Sequence, residues 1–186
     1  MTPPPPTPAG SGPTGTRDGV GLRLPAPALR VTEVTDDDVA PLVALWTTCE
    51  LTRPWNDPER DIADARSTPA STVLVGRVGT TGTAGAGTVV SSAMAGYDGH
   101  RGWLYYVAVD PAWQGRGFGR ETVVAAEAWL AAQGATKVQL MVRHTNGQTR
   151  GFYEALGYTD QETTVLGRRF PAAQGGPDVA PDPSAT

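Results

Sequence analysis

The chain has 186 residues, 15 Lys and Arg against 19 Asp and Glu, and a formal charge of -4, with no block of consecutive basic residues. That balance excludes nucleic acid as the main partner, and no window reaches the apolar length of a membrane span. The single Cys49 allows no internal disulfide and fits a reducing cytoplasm.

In chain order, Met1 to Pro27 reads Pro-Pro-Pro-Pro, Gly-Ser-Gly and Pro-Ala-Pro. It has no apolar run to bury, which predicts a disordered tail (1–27) and no secretory signal. Pro171 to Thr186 repeats this composition and predicts a second tail (171–186). One folded domain is expected between them, Ala28 to Phe170 (28–170), long enough to bury a continuous core.

Within it, Leu29 to Val34 alternates as a short strand. Thr35-Asp36-Asp37-Asp38 offers helix caps, and Asp38 as N-cap would place Pro41 in the first turn. Leu42, Leu45, Trp46 and Cys49 follow at helical spacing, to about Leu51. Cys49 thus reads as a core residue. Asp57-Pro58 starts a second helix running to about Arg66. Ser71 to Val78 and Gly87 to Ala95 read as hairpin strands joined by a loose connection over Gly79 to Gly85. Asp98-Gly99 marks a turn before the apolar strand Leu104 to Val109.

That strand leads through Asp110-Pro111 into Trp113-Gln114-Gly115-Arg116-Gly117-Phe118-Gly119-Arg120 and then a helix from Glu121 to Gln133, closed by Gly134. Strand, glycine-rich loop and helix in this order read either as an anion site or as a plain glycine-rich connection. The glycines permit a tight turn with N–H groups facing inward, and the first N–H groups of the helix lack internal partners. The loop is neither the triphosphate P-loop nor the Gly-x-Gly-x-x-Gly of dinucleotide folds. Arg101, Arg116, Arg120, Arg143 and Arg150 are expected near it, a local positive charge suited to a small anion. Lys137 to Val142 alternates and should pair parallel with Leu104–Val109 through a right-handed crossover. Thr149 to Leu156 reads as a short helix closed by Gly157, and Tyr158 to Leu166 as a last strand. The sum is a mixed α/β sheet with helices on both faces.

Gln114-x-x-Gly117-x-Gly119, after a strand ending Val109-Asp110-Pro111, resembles the acyl-coenzyme A loop of the GNAT N-acetyltransferases. Asn146-Gly147-Gln148-Thr149-Arg150-Gly151-Phe152-Tyr153-Glu154-Ala155-Leu156-Gly157-Tyr158 resembles a second element of that family, with Thr149 where the family usually has Ala. Arg53-Pro54-Trp55-Asn56-Asp57-Pro58 and Gly96-Tyr97-Asp98-Gly99-His100-Arg101-Gly102 look like the YpeA-type subgroup of small bacterial GNAT proteins. The resemblance covers 28–170. It implies the GNAT fold: a central, mostly antiparallel sheet with one parallel pair that splays after a bulge.

It further implies acetyl-CoA as the acyl donor and a small-molecule or peptide amine as acceptor, in a monomer or homodimer. The backbone of Val107, Ala108 and Val109 would pair with the pantetheine arm, and Asn146 would hydrogen-bond it. Gln114, Gly115, Arg116, Gly117, Phe118, Gly119 and Arg120 would hold the pyrophosphate. Tyr153 would be the general acid, and Arg53, Trp55, Asn56 and Asp98 would contact the acceptor. Asp98, Glu50 and Asp57 are the candidate bases, although Asp57 reads more readily as a helix cap, Asp98 as a turn former, and Glu50 also as a solvated helix end. His100 and His144 lack a partner pattern, and no metal-ligand spacing exists. A non-catalytic acyl-coenzyme A-binding module and a nucleotide-binding scaffold are the competing readings.

Overall fold

The computed structural model describes residues 28–79 and 87–168. The expected tails and most of the Gly79–Gly85 connection lie outside the described residues. Five strands form one sheet in chain order: β1 (Arg30–Glu33), β2 (Ser71–Val78), β3 (Thr88–Tyr97), β4 (Gly102–Val109) and β5 (Val138–Leu140). The first three pairings are antiparallel, and only β4 with β5 is parallel. The helices are α1 (Val39–Thr48), α2 (Pro58–Ser67), α3 (Phe118–Ala132) and α4 (Gly147–Glu154).

Alternation along the strands sorts the core into two layers. Val73, Val75 and Ala108 face Leu42, Leu45, Trp46 and Ile62 of α1 and α2. Leu74, Ala93, Ala95 and Leu104 face Val123, Ala126 and Leu130 of α3 and Tyr153 of α4. Helices therefore cover both faces. A smaller cluster of Val78, Val90 and Phe118 closes the end nearest the glycine loop.

Two expectations fail. Asp38 does not cap α1 with its side chain. Thr35 instead opens a 3-10 turn over Asp36–Asp38 with a capping box, and Asp38 Oδ2 accepts from Thr35 N at 2.7 Å and Thr35 Oγ1 at 2.6 Å. The same carboxylate forms a buried ion pair with Arg77, whose Nε lies 3.1 Å from Asp38 Oδ1. A buried charge near the end of β2 needs a partner, and this partner draws Asp38 inward. By contrast, Asp57 caps α2 as expected, accepting from Arg60 N at 3.1 Å with Pro58 at the first position.

The last strand also fails to form: residues 159–168 have no regular structure. Local bonds take the backbone instead. Asp160 Oδ1 accepts from Glu162 N at 2.8 Å, and Gln161 Nε2 donates to Thr159 O at 2.9 Å. With Val165 and Leu166 both exposed, this stretch buries too little to reward pairing.

Candidate active site at the splayed strands

β4 and β5 pair only at Gly102–Val138, Trp103–Gln139 and Leu104–Leu140. β4 then continues through Tyr105, Tyr106, Val107, Ala108 and Val109 without β5 beside it. On its other side the register against β3 jumps from Met94–Tyr105 to Ser92–Ala108, so Tyr106 and Val107 oppose the single residue Ala93. This is a β-bulge, which bends the strand and re-aims Val107 to Val109.

Tyr106 sits at the bulge with φ +48°. A bulky L-residue there costs on the order of 1–3 kcal/mol and persists only where its surroundings fix it. Four contacts do so. The Tyr106 ring stacks on Trp46 with centroids 4.0 Å apart. Ser92 Oγ donates to Tyr106 O at 2.9 Å and accepts from Trp46 Nε1 at 2.9 Å. Tyr106 Oη donates to Asp61 Oδ2 at 2.6 Å and accepts from Asn56 Nδ2 at 3.1 Å. Burial, then the Asp61 hydrogen bond, pushes the phenol up to about 12.

At the end of β4 the Asp110 carboxylate accepts from Ala112 N at 2.8 Å and starts a 3-10 turn over Pro111–Trp113. Gln114 Nε2 then reaches back to Val109 O at 3.1 Å, which also takes the Cys49 thiol at 3.5 Å. The Val109 carbonyl is thus already engaged. Burial first, then Asp110, raises the Cys49 thiol above its ordinary range, as suits a core residue rather than a nucleophile.

Gly115 and Gly117 have φ of +72° and +89°. Gly117 is the N-cap of α3 and offers no side chain to its first N–H groups. The Phe118 side chain is buried in the core, against Trp113, so only its backbone faces the loop. Arg116 stacks over Trp113, with Cζ 4.9 Å from the ring. Thr122 Oγ1 donates to Phe118 O at 2.8 Å and lies 2.7 Å from Ser91 Oγ, pinning the first turn of α3 to β3. Phe152 of α4 closes on Gly119, where an added Cβ would lie 3.2 Å from its Cζ.

Asn146 is the N-cap of α4: its Oδ1 accepts from Thr149 N at 3.1 Å, and its amide nitrogen remains available to donate. Tyr153, only 7% exposed, packs edge-on between Phe152 and Tyr158, at 5.0 and 5.4 Å. Its hydroxyl has no hydrogen-bond partner among the described residues, and burial pushes it up to about 12.

Several sequence candidates lie elsewhere. Asp98 and Arg101 sit in the β3–β4 turn, about 25 Å of extended strand from the glycine loop. Hydrogen bonds to Asp98, first from Arg101 N and then from Trp103 Nε1 and His100 N, hold its carboxyl at about 2. So weak a base is a turn former and not a proton acceptor for an amine. Arg53 Nη1 donates to Glu50 O at 2.5 Å and Thr52 O at 2.8 Å, closing the end of α1. Glu50, at φ +56°, is exposed there. Trp55 is half-buried in the same loop. Of the expected acceptor residues, Asn56 reaches the bulge through Tyr106. Sequence reading missed Tyr106, Trp46, Ser92 and Asp61. A bulge leaves no periodic mark, and the polar pair Ser91-Ser92 inside β3 was the available clue.

Substituting Gly117 should test the loop. Ala at φ +89° is strained by roughly 1–2 kcal/mol. Relaxing that strain turns the N–H groups away from a common centre. Gly117→Ala is expected to weaken coenzyme A binding about tenfold in calorimetry and to leave the fold intact by circular dichroism.

The comparisons with known proteins agree with this geometry. The model of the acetyltransferase (GNAT) family matches residues 37–158. An acetyltransferase of Yersinia pestis (strain Pestoides F) is 43% identical over 134 residues, which span 72% of this chain and 90% of that one. Acetyltransferase ECA0875 of Pectobacterium atrosepticum is 41% identical over 134 residues, with the same coverage of 72% and 90%. Among solved structures, aminoglycoside N-acetyltransferase AAC(6')-Iy in complex with CoA has a TM-score of 0.64 at 14% identity, covering 80% of this chain and 99% of that one. An acetyltransferase of Trypanosoma brucei has a TM-score of 0.57 at 23% identity, covering 76% and 100%. With the splayed strands, the glycine loop and a matching family model together, the chain belongs to the acetyltransferase (GNAT) family.

Proposed function

We propose that this protein is an acetyl-CoA-dependent N-acetyltransferase that moves the acetyl group to a primary amine of a small molecule or peptide by direct attack in a ternary complex. The observation that carries this reading is the parting of β4 from β5 after Leu104–Leu140. It frees one edge of β4 to pair with the amides of a pantetheine arm, as an added strand would. The candidates are the N–H groups of Val107 and Val109 and the carbonyl of Val107. The pyrophosphate rests on the N–H groups of Gln114 to Arg120, and Asn146 donates to the arm from the α4 side.

An N–H aimed into the gap by the bulge stabilises charge developing on the thioester oxygen. The amine must attack neutral. Its nitrogen forms the C–N bond and loses a proton, and the C–S bond breaks to leave a thiolate. Tyr153, held neutral by its raised pKa, donates a hydrogen bond to that sulfur. Full transfer from a phenol near 12 to a thiol near ~8.5 is uphill by about 5 kcal/mol. Tyr153 therefore works by hydrogen bonding, and the thiolate takes its proton late or from water.

The test is thiol release from acetyl-CoA across amino acids, polyamines, aminoglycosides and peptide N-termini, with coenzyme A affinity measured in parallel. Turnover with at least one amine is the expected result. Tight coenzyme A binding with no transfer would favour a sensor instead.

A further inference from the structure

On the α1/α2 face of β4, opposite the face that carries Tyr153, a cavity of about 430 Å³ opens between α2 and the strands. Tyr105, Tyr106, Met94 and Ala95 form its walls, and Asp61 and Asp64 are the charged residues of its lining. Its volume suits a small molecule. Asp64 is already paired with Arg60, Nε to Oδ2 at 3.6 Å. Asp61 has no cationic partner among the described residues. Its carboxylate takes only the Tyr106 phenol, which leaves the other oxygen unbonded.

Tyr105 is 40% exposed beside it. An exposed aromatic ring next to an uncompensated carboxylate is the pairing that recognises an ammonium group: ring face and anion both attract it. The Tyr106 ring spans from this carboxylate to the bulge. A charge held at Asp61 therefore lies one tyrosine side chain from the gap where the thioester would be.

We propose that this cavity is the acceptor subsite and that Asp61 selects linear diamines. One nitrogen enters the gap as the neutral nucleophile, the methylene stem packs on Met94 and Tyr105, and the second nitrogen stays protonated at Asp61. This rests on the N-acetyltransferase reading above. It places acceptor and thiolate on opposite faces of β4, so that entry of one does not obstruct departure of the other.

The experiment compares putrescine with n-butylamine by thiol release, in the wild-type protein and in Asp61→Asn, with coenzyme A binding followed by calorimetry. The wild type is expected to favour putrescine in kcat/KM by about tenfold or more. Asp61→Asn is expected to erase that preference through KM, with coenzyme A affinity unchanged. Tyr106→Phe keeps the carboxylate and should keep the preference, which separates charge selection from mere support of the bulge. Equal use of both amines by the wild type, or an unchanged preference in Asp61→Asn, overturns the proposal alone. Coenzyme A binding with no amine acetylated overturns both it and the enzymatic reading.

Discussion

Tyr153→Phe is expected to lower kcat about a hundredfold while leaving the protein as stable as before. The two halves of this result come from one observation. The Tyr153 side chain is buried, but its hydroxyl has no partner among the described residues and reaches the protein surface, so removing it breaks no hydrogen bond to another described residue. Deleting a hydroxyl that bonds only to solvent changes stability little. In the proposed reaction the same hydroxyl donates to the leaving sulfur. Loss of one donor aimed at developing charge costs on the order of a hundredfold in rate. The ring stays between Phe152 and Tyr158, so affinity for coenzyme A should hold. A pH series supplies the sign. Burial raises the phenol from its ordinary 10 to about 12, so the folded state keeps the proton longer than the unfolded chain. Its contribution to stability is full below 10 and is lost as pH rises towards 12, and Tyr153→Phe should remove that loss. Unchanged kcat in Tyr153→Phe would strip the residue of its role.

The largest effect on folding is expected at Asp38. Asp38 and Arg77 are 3% and 2% exposed, so Asp38→Ala leaves a guanidinium buried without its anion. Removing one partner of such a pair costs roughly 3–5 kcal/mol, or on the order of 10 °C in Tm for a domain of this size. Arg77 retains a bond to Thr32 Oγ1 at 2.5 Å, too little to replace a carboxylate. Replacing both partners, Asp38→Leu with Arg77→Met, should recover most of the loss. Acid should act in the same way as the single variant. Burial raises the Asp38 carboxyl, but hydrogen bonds from Arg77 and Thr35 outweigh it and leave the pKa below 3.8. The stabilisation is therefore complete above 3.8 and disappears as pH falls through the lower folded value. Melting scans against pH for the wild type and Asp38→Ala would show curves that converge in acid. Parallel curves would deny the pair its importance.

Local chemistry explains what was legible beforehand. Asp57-Pro58 specified the start of α2 because cap and proline act within one turn. The glycine loop and its helix were readable for the same reason. Asp38 was misplaced because the choice between capping α1 and pairing with Arg77 is settled across 39 residues of sequence. Tyr106 was read only as part of an apolar run. Its left-handed backbone is imposed by Trp46, Ser92, Asn56 and Asp61, four residues from four separate segments. Tyr158 packs on Tyr153, but Val165 and Leu166 further along the expected strand stay exposed.

The short ladder between β4 and β5 has a cost for the empty protein. A raw rim of peptide groups in mid-sheet is an invitation to any stray extended segment, including one from a second copy. In the proposed complex the donor's own amides occupy that rim. On that reading the donor would also shield the rim from such pairing, and the bound protein would aggregate less than the free one.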